Sequence, residues 1–532
     1  MTLVTLFAIA ATFAVVVYLV RRRPRFLPLP PGPKRLPLVG NLLDIPSTYE
    51  WEKYMQWAKD FETDILHLDA GGTSIIVLDS YEACCDLLEK RARFYSDRPS
   101  FPMTIDLMGM DFNFATIPYG DKWRARRRIA HEALHEKASI GFRHLELEAT
   151  HTFLRNMLAA GEDDLEAEVR LMTGRLILAA AYGVDVRTKE DPHVVEADAL
   201  MRMLTTSAVP SSYLVNSVPA LKYVPEWMPG ASSSIPGQSE ADIPQEIVDR
   251  PFNEVKQSMV DGTPERPSFV SRSLEKGAED RVIRDAAATM YNGGTDTTVV
   301  TILNFVLAML DNPSLQRRAQ SDLDDVLGPL RGADGGLGRL PVFDDEERLP
   351  YIIALARESS RYRPVLPMVS SLALLTSHLK SVPHAYNGEE PDIYKGFVIP
   401  CGSVVIPNIW SMAHDESVYP DSYTFKPERF LDADGKLDPN VRDPGSFIFG
   451  FGRRNCIGRH MAYASLWITI ASILRVYNIE KARRSDGSIV EPHREWASAL
   501  IQNPKHFKCV FTPRSIEAAA IIRSTEKASE AL

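Results

Sequence analysis

Cysteine is scarce in this chain, with five residues in 532: Cys84, Cys85, Cys401, Cys456 and Cys509. The number is odd, the positions are scattered and no C-x-x-C spacing occurs. That excludes a disulfide-framed fold and a cysteine-rich zinc site, and points to a reducing compartment for the folded body. Positive charge is in deficit too: 60 Lys and Arg against 70 Asp and Glu leave a formal net charge of −10, so the chain as a whole has no electrostatic reason to bind nucleic acid. No internal repeat is visible. One long uncharged apolar run exists, LVTLFAIAATFAVVVYLV at residues 3–20, just long enough to cross a bilayer as a helix.

Arg21, Arg22 and Arg23 follow that run directly. A cleaved signal peptide places its basic residues before the apolar stretch, and arginines on the carboxyl side keep that side cytosolic. Next comes PLPPGPKRLPLVG (28–40), whose prolines forbid helix and make a stiff spacer. The expected organisation is a membrane anchor at 1–23, a proline-rich spacer at 24–47 and one body at 48–532. In the body, helical apolar periodicity dominates, interrupted by strand-like runs at TSIIVLD (73–79) and GFVIPCGSVVIP (396–407). Two turn-rich stretches, ASSSIPGQSEADIPQ (231–245) and GPLRGADGGLGRLP (328–341), are expected as loops. The second has neither a preceding strand nor a Gly-Lys-Ser/Thr ending, so it is a surface loop rather than a phosphate cradle.

Residues 447–460, FIFGFGRRNCIGRH, set Cys456 among glycines and arginines, surroundings that suit a thiolate better than a packed thiol. The spacing of Phe449, Gly452, Arg454, Cys456 and Gly458, followed by the apolar run MAYASLWITIASIL, resembles the cysteine-ligand signature F-x-x-G-x-R-x-C-x-G of the cytochrome P-450 family, the haem-thiolate monooxygenases. A helix starting just after Cys456 would aim its unpaired N–H groups at the sulfur. Gly458 would let backbone approach the sulfur, and Arg454 would meet a haem propionate.

Three further segments match the same family in order. Glu358 and Arg361 in ALARESSRYRP, with Arg429 in Pro427-Glu428-Arg429-Phe430, correspond to its buried ion network, a structural role. MYNGGTDTTVVTILNF (290–305) resembles the central helix above the haem. Glycines and clustered threonines are poor helix formers, so a local widening is expected there, with Asp296 and Thr297 as the acid–alcohol pair that relays protons. In GDKWRARRR (120–128), Trp123 and Arg127 look like the pair that binds haem propionates. Arg124, Arg126, Arg128 and Lys122 would join the arginines around Cys456 in a basic face for an acidic flavoprotein reductase.

The same helix runs into His131-Glu132-Ala133-Leu134-His135, literally H-E-x-x-H, the zinc-protease signature. The extended form fails at Ala138 and Gly141, leaving Glu146 or Glu148 as conceivable third ligands. A departure from the family follows RYRPVLPM: VSSLALLTSHLK (369–380) intervenes before Ser381-Val382-Pro383-His384, where His384 matches a propionate contact. The flanks join smoothly without it, which suggests an outward bulge or an imperfect gene model.

The resemblance covers nearly the whole chain, to HFKCVFTPRS, and is similar in character to fungal microsomal members, including those oxidising polyketides, terpenoids and aromatic secondary metabolites. It implies a mainly α, triangular fold with a small β-sheet region, plus the N-terminal transmembrane helix. It further implies haem b with Cys456 as axial ligand and metal contact, and a propionate shell of Trp123, Arg127, His384 and Arg454. Electrons would come from NADPH through a cytochrome P-450 reductase, with cytochrome b5 as a further donor, at the endoplasmic reticulum membrane. A haem-thiolate isomerase or dehydratase is the alternative within the family. FPMTIDLMGMDFNF (101–114) and the region after residue 363 are the candidate walls for a lipophilic substrate.

Overall fold

The computed structural model describes residues 27–529, except 208–212, 218, 225–237, 264–265, 333–334, 369–382 and 499. The expected anchor at 1–23 and the intervening segment 369–380 lie outside the described residues, as do residues 231–237 of the loop expected at 231–245. The last part of that loop is helical instead, because Gln238–Val260 forms a helix that carries Pro244 and Pro251 inside it. The stretch 328–341 is a loop where described, pinched by a bridge between Arg331 and Leu337.

Helix is the dominant state, with short strands gathered into small sheets. β1 (Ile65–Ala70) and β2 (Thr73–Leu78) form an antiparallel hairpin. β3 (His384–Ala385), β4 (Asp392–Tyr394), β5 (Phe397–Ile399) and β6 (Val404–Pro407) follow. The main sheet runs β1-β2-β6-β3, with β6 parallel to β2 and β3 antiparallel to β6, pairing His384 with Val405. The run read as 396–407 is thus two strands broken at Cys401-Gly402, β5 pairing with β4 and β6 with the main sheet. β7 (Tyr477–Lys481) and β8 (Cys509–Pro513) make a separate hairpin.

At the centre is the 32-residue helix Asp280–Asp311. It packs against Leu165–Tyr182, Asp121–Leu134, Arg459–Val476 and Pro350–Tyr362. Among the described helices it alone is long and apolar enough to cross a membrane, and most of its apolar stretch is buried in protein. The widening expected at Gly293–Thr298 is absent, and the helix runs unbroken through it. Gly294 explains part of this: a Cβ there would lie 2.6 Å from Ile177 Cδ1, so the glycine lets the neighbouring helix approach. Thr297 and Thr301 donate their hydroxyls to the carbonyls of Gly293 and Thr297, at 3.1 and 3.2 Å, reinforcing the turn. Packing outweighs the weak intrinsic propensity of these residues.

Candidate active site

Cys456 is fixed by its loop. Gly450 and Gly452 have φ of +76 and +57, and a Cβ on Gly452 would sit 2.0 Å from the carbonyl oxygen of Leu88, so no other residue fits that turn. The turn carries half-buried Phe449 back over the cysteine, whose N–H donates to the Phe449 carbonyl at 2.7 Å. Helix Arg459–Val476 then begins with Gly458 as its cap. Burial raises the Cys456 thiol above its ordinary pKa, while the Gly458 N–H, Arg127 and Arg459 pull the other way. The residue is nonetheless accessible. Being both surrounded and accessible, the thiol lies at the bottom of a recess, and the position a Gly458 Cβ would take has no protein atom within 4 Å.

Cations gather beside that recess. Arg127 Nη2 donates to Asn455 Oδ1 at 2.6 Å, and its guanidinium lies 6.0 Å from the centre of the buried Trp123 ring. Arg454 lies 4.8 Å from the same ring and donates to the carbonyls of Ser96, Phe114 and Ile117, at 2.7, 3.1 and 3.0 Å. Burial lowers both arginines to about 10. Buried His384 holds its Nδ1 2.7 Å from the Tyr95 carbonyl. Burial first, then Arg98 and Arg454, depress its imidazolium to about 3, so the ring is neutral. Arg98 had no signal in the sequence. It reaches the carbonyls of Ala115 and Pro383 at 2.9 Å each, and burial and Arg454 hold its pKa well below the ordinary arginine value.

Arg126 corrects one expectation. It does not join a basic outer face: it is 3% exposed, ion-paired with the fully buried Asp285 of the central helix and bonded to the Asp111 carbonyl. Its place on the helix, one residue before Arg127, turns it toward the core.

On the central helix, residues 293–298 are accessible between buried Asn292 and Val299, so an open space adjoins the middle of a core helix. Thr297 Oγ1 faces the Gly293 carbonyl, as above. Asp296 is not joined to Thr297: its Oδ1 is ion-paired with Arg170 of helix Leu165–Tyr182, which also holds Glu166 at 3.1 Å. Arg170, too, was invisible in the sequence, since nothing local marks its partner.

Glu358, Arg361 and Arg429 form one buried network. Arg361 grips Glu358 with Nε and Nη2 at 2.7 and 2.8 Å, Arg429 Nε reaches it at 3.3 Å and the Lys426 N–H at 2.8 Å. The His131 and His135 rings are 5.7 Å apart, but Glu146 is buried against Ser465. Among the described residues no three His, Cys, Asp or Glu side chains are grouped to hold a metal.

A family model, Cytochrome P-450, matches residues 30–511. The chain belongs to the cytochrome P-450 family. It is 40% identical over 531 residues to cytochrome P-450 monooxygenase 98 of Postia placenta, covering 98% of this chain and 97% of that one. It is 35% identical to tryptamine 4-monooxygenase of Psilocybe cyanescens, over 94% of this chain and 96% of that protein. To cytochrome P-450 monooxygenase claR of Ampulloclitocybe clavipes it is 37% identical, over 95% and 89%. Like these fungal cytochromes P-450 it is a haem-dependent monooxygenase, and the family implies cysteine thiolate ligation. The residues fit that group. Arg98, Arg127 and Arg454 converge at an energetic cost from burial and from one another, beside Asp97, whose carboxylate is engaged by the N–H groups of Arg98 and Tyr119. Such a cradle suits two propionates.

Proposed function

We propose that Cys456 would ligate the iron of haem b as a thiolate, and that Trp123, Arg127, His384 and Arg454, with Arg98, would hold its propionates. The observation that carries this is the convergence of cationic donors around Trp123, beside a recess floored by an accessible cysteine. When bound, the haem supplies activation of dioxygen and transfer of one oxygen atom to substrate. The chain's part is to hold and move protons: Thr297 carries one at Oγ1, and Asp296, oriented through Oδ1 by Arg170, exchanges one at Oδ2. Phe449, Gly452 and Gly458 shape the cysteine loop, and Glu358, Arg361 and Arg429 brace the thiolate side.

The substrate is a small lipophilic molecule of terpenoid, polyketide, steroid or aromatic type. Support comes from the segment expected to wall the cavity, where Met103, Met108, Met110 and Phe112 join Leu204 and Val248 in an apolar cluster. Thioether side chains are adaptable, which suits shape tolerance rather than one rigid ligand. The run at 3–20 anchors the protein in the endoplasmic reticulum, the proline spacer to residue 47 leads into the cytosolic body at 48–532, and electrons arrive from NADPH through a reductase, with cytochrome b5 as a second donor. The test is turnover of microsomes with reductase, NADPH and isotopically labelled dioxygen against a terpenoid, steroid and aromatic panel. One labelled oxygen atom in the product supports the reading; unlabelled rearranged or dehydrated products would transfer it to the isomerase alternative.

A further inference from the structure

The H-E-x-x-H motif ends helix Asp121–Leu134, with His135 as the residue that closes it. Arg124, Arg128, His131 and His135 fall three or four residues apart, so they share one helical face. That face is accessible: the first three are exposed and His135 half-exposed. It is the opposite assignment from Arg126 on the same helix. Half-exposed His460, four residues after Cys456, is close enough to feel both histidines, together with Arg459 and Glu136. Arg453 extends the patch, donating to the Tyr119 hydroxyl at 2.6 Å while Arg124 lies 5.5 Å from the same ring. In a chain of net charge −10, this is a basic, histidine-rich surface at the rim of the cysteine loop.

We propose that His131, His135 and His460 make docking of the acidic electron-donating flavoprotein dependent on pH, strengthening it as pH falls. The inference rests on the haem-thiolate reading above and adds its regulation. Histidine is the side chain whose ordinary charge change lies between about pH 5 and 8. The charged groups around the rings are the acidic Glu132 and Glu136 and the basic Arg128, Lys137 and Arg459. Burial first, then Arg459, lowers the pKa of the His460 imidazolium, with Glu136 opposing. Each added charge faces the acidic partner across solvent, so the effect is long-range and screened by salt.

The test is the dissociation constant of the full-length haem protein for NADPH–cytochrome P-450 reductase, measured from about pH 8 to 6 at low and high salt, for wild type and for H131N/H135N/H460N. Using the same reductase for both cancels titration of the partner. Wild type is expected to bind about tenfold tighter at the acid end in low salt, the gain vanishing at high salt and in the triple variant. A triple variant that keeps the wild-type pH dependence overturns the proposal. If that variant does not fold, H131N and H460N singly decide, each expected to lose part of the gain; two unchanged profiles overturn it equally. A wild-type protein with no thiolate-type carbon monoxide band would instead mark failure of the haem reading, a different outcome on a different signal.

Discussion

Replacing Glu358 by glutamine removes the shared carboxylate from a site where Glu358 and Arg361 are 0% exposed and Arg429 5%. The change is nearly isosteric, so it isolates charge and hydrogen bonding from volume. Arg429 keeps three carbonyl partners, Pro420, Asp421 and Thr424. Arg361 keeps one, Ala413 at 2.6 Å, and would face an amide N–H₂ where it had a charged acceptor. Breaking a buried pair from one side costs about 3–5 kcal/mol, because the remaining charge is left in low dielectric, or roughly two to three and a half orders of magnitude in a folding equilibrium. The assay is loss of the carbon monoxide band of reduced enzyme against urea concentration, compared between variants and not read as a two-state free energy in so large a chain. Salt should leave the loss unchanged, since a buried pair is little screened. Glu495→Gln, which breaks a surface pair with Lys505, is the control expected to leave the transition where it was. A Glu358→Gln urea midpoint coinciding with that of wild type and of Glu495→Gln would refute the argument that this network is held by its charge.

Gly452→Ala should prevent haem incorporation, since its Cβ collides with the Leu88 carbonyl, whereas Gly458→Ala meets no protein atom and should leave the protein folded; equal loss of soluble protein for both would contradict the loop geometry. Thr297→Ala should keep consuming NADPH while diverting it to hydrogen peroxide, read as the ratio of peroxide to product, and full coupling would remove Thr297 from the proton path. Glu146, raised by burial from 4.5 to about 8, binds its proton more tightly folded than unfolded, so its contribution to stability is complete below about pH 4.5 and lost as pH rises through about 8. Glu146→Gln should therefore match wild type in acid and exceed it above about pH 8 in urea midpoint; a constant offset across pH would show that the carboxyl is not the cause.

What could be read from the sequence was whatever is local. The Cys456 loop is specified by glycines at fixed offsets, and Glu358 and Arg361 are one turn apart on a helix. Arg98 and Arg170 escaped because their partners, the carbonyls of Ala115 and Pro383 and the carboxylate of Asp296, are chosen by tertiary contact. Arg126 was misplaced for the same reason: among alternating arginines, only the buried Asp285 on a distant helix decides which one turns inward. The widening expected from Gly293 and Gly294 rested on intrinsic propensity, and Ile177 packing overrode it. Pro244 suggested a loop, yet it lies inside a helix, past the first turn, at a position where proline removes an intrahelical hydrogen bond.

The central claim is a sulfur–iron bond at Cys456, and the most direct measurement is the absorption spectrum of the reduced, carbon monoxide-treated protein. A red-shifted thiolate-type Soret band in wild type, lost in Cys456→Ser although the variant remains folded, is the expected result. No such band in folded wild type after hemin reconstitution, or an unchanged band in Cys456→Ser, would contradict it.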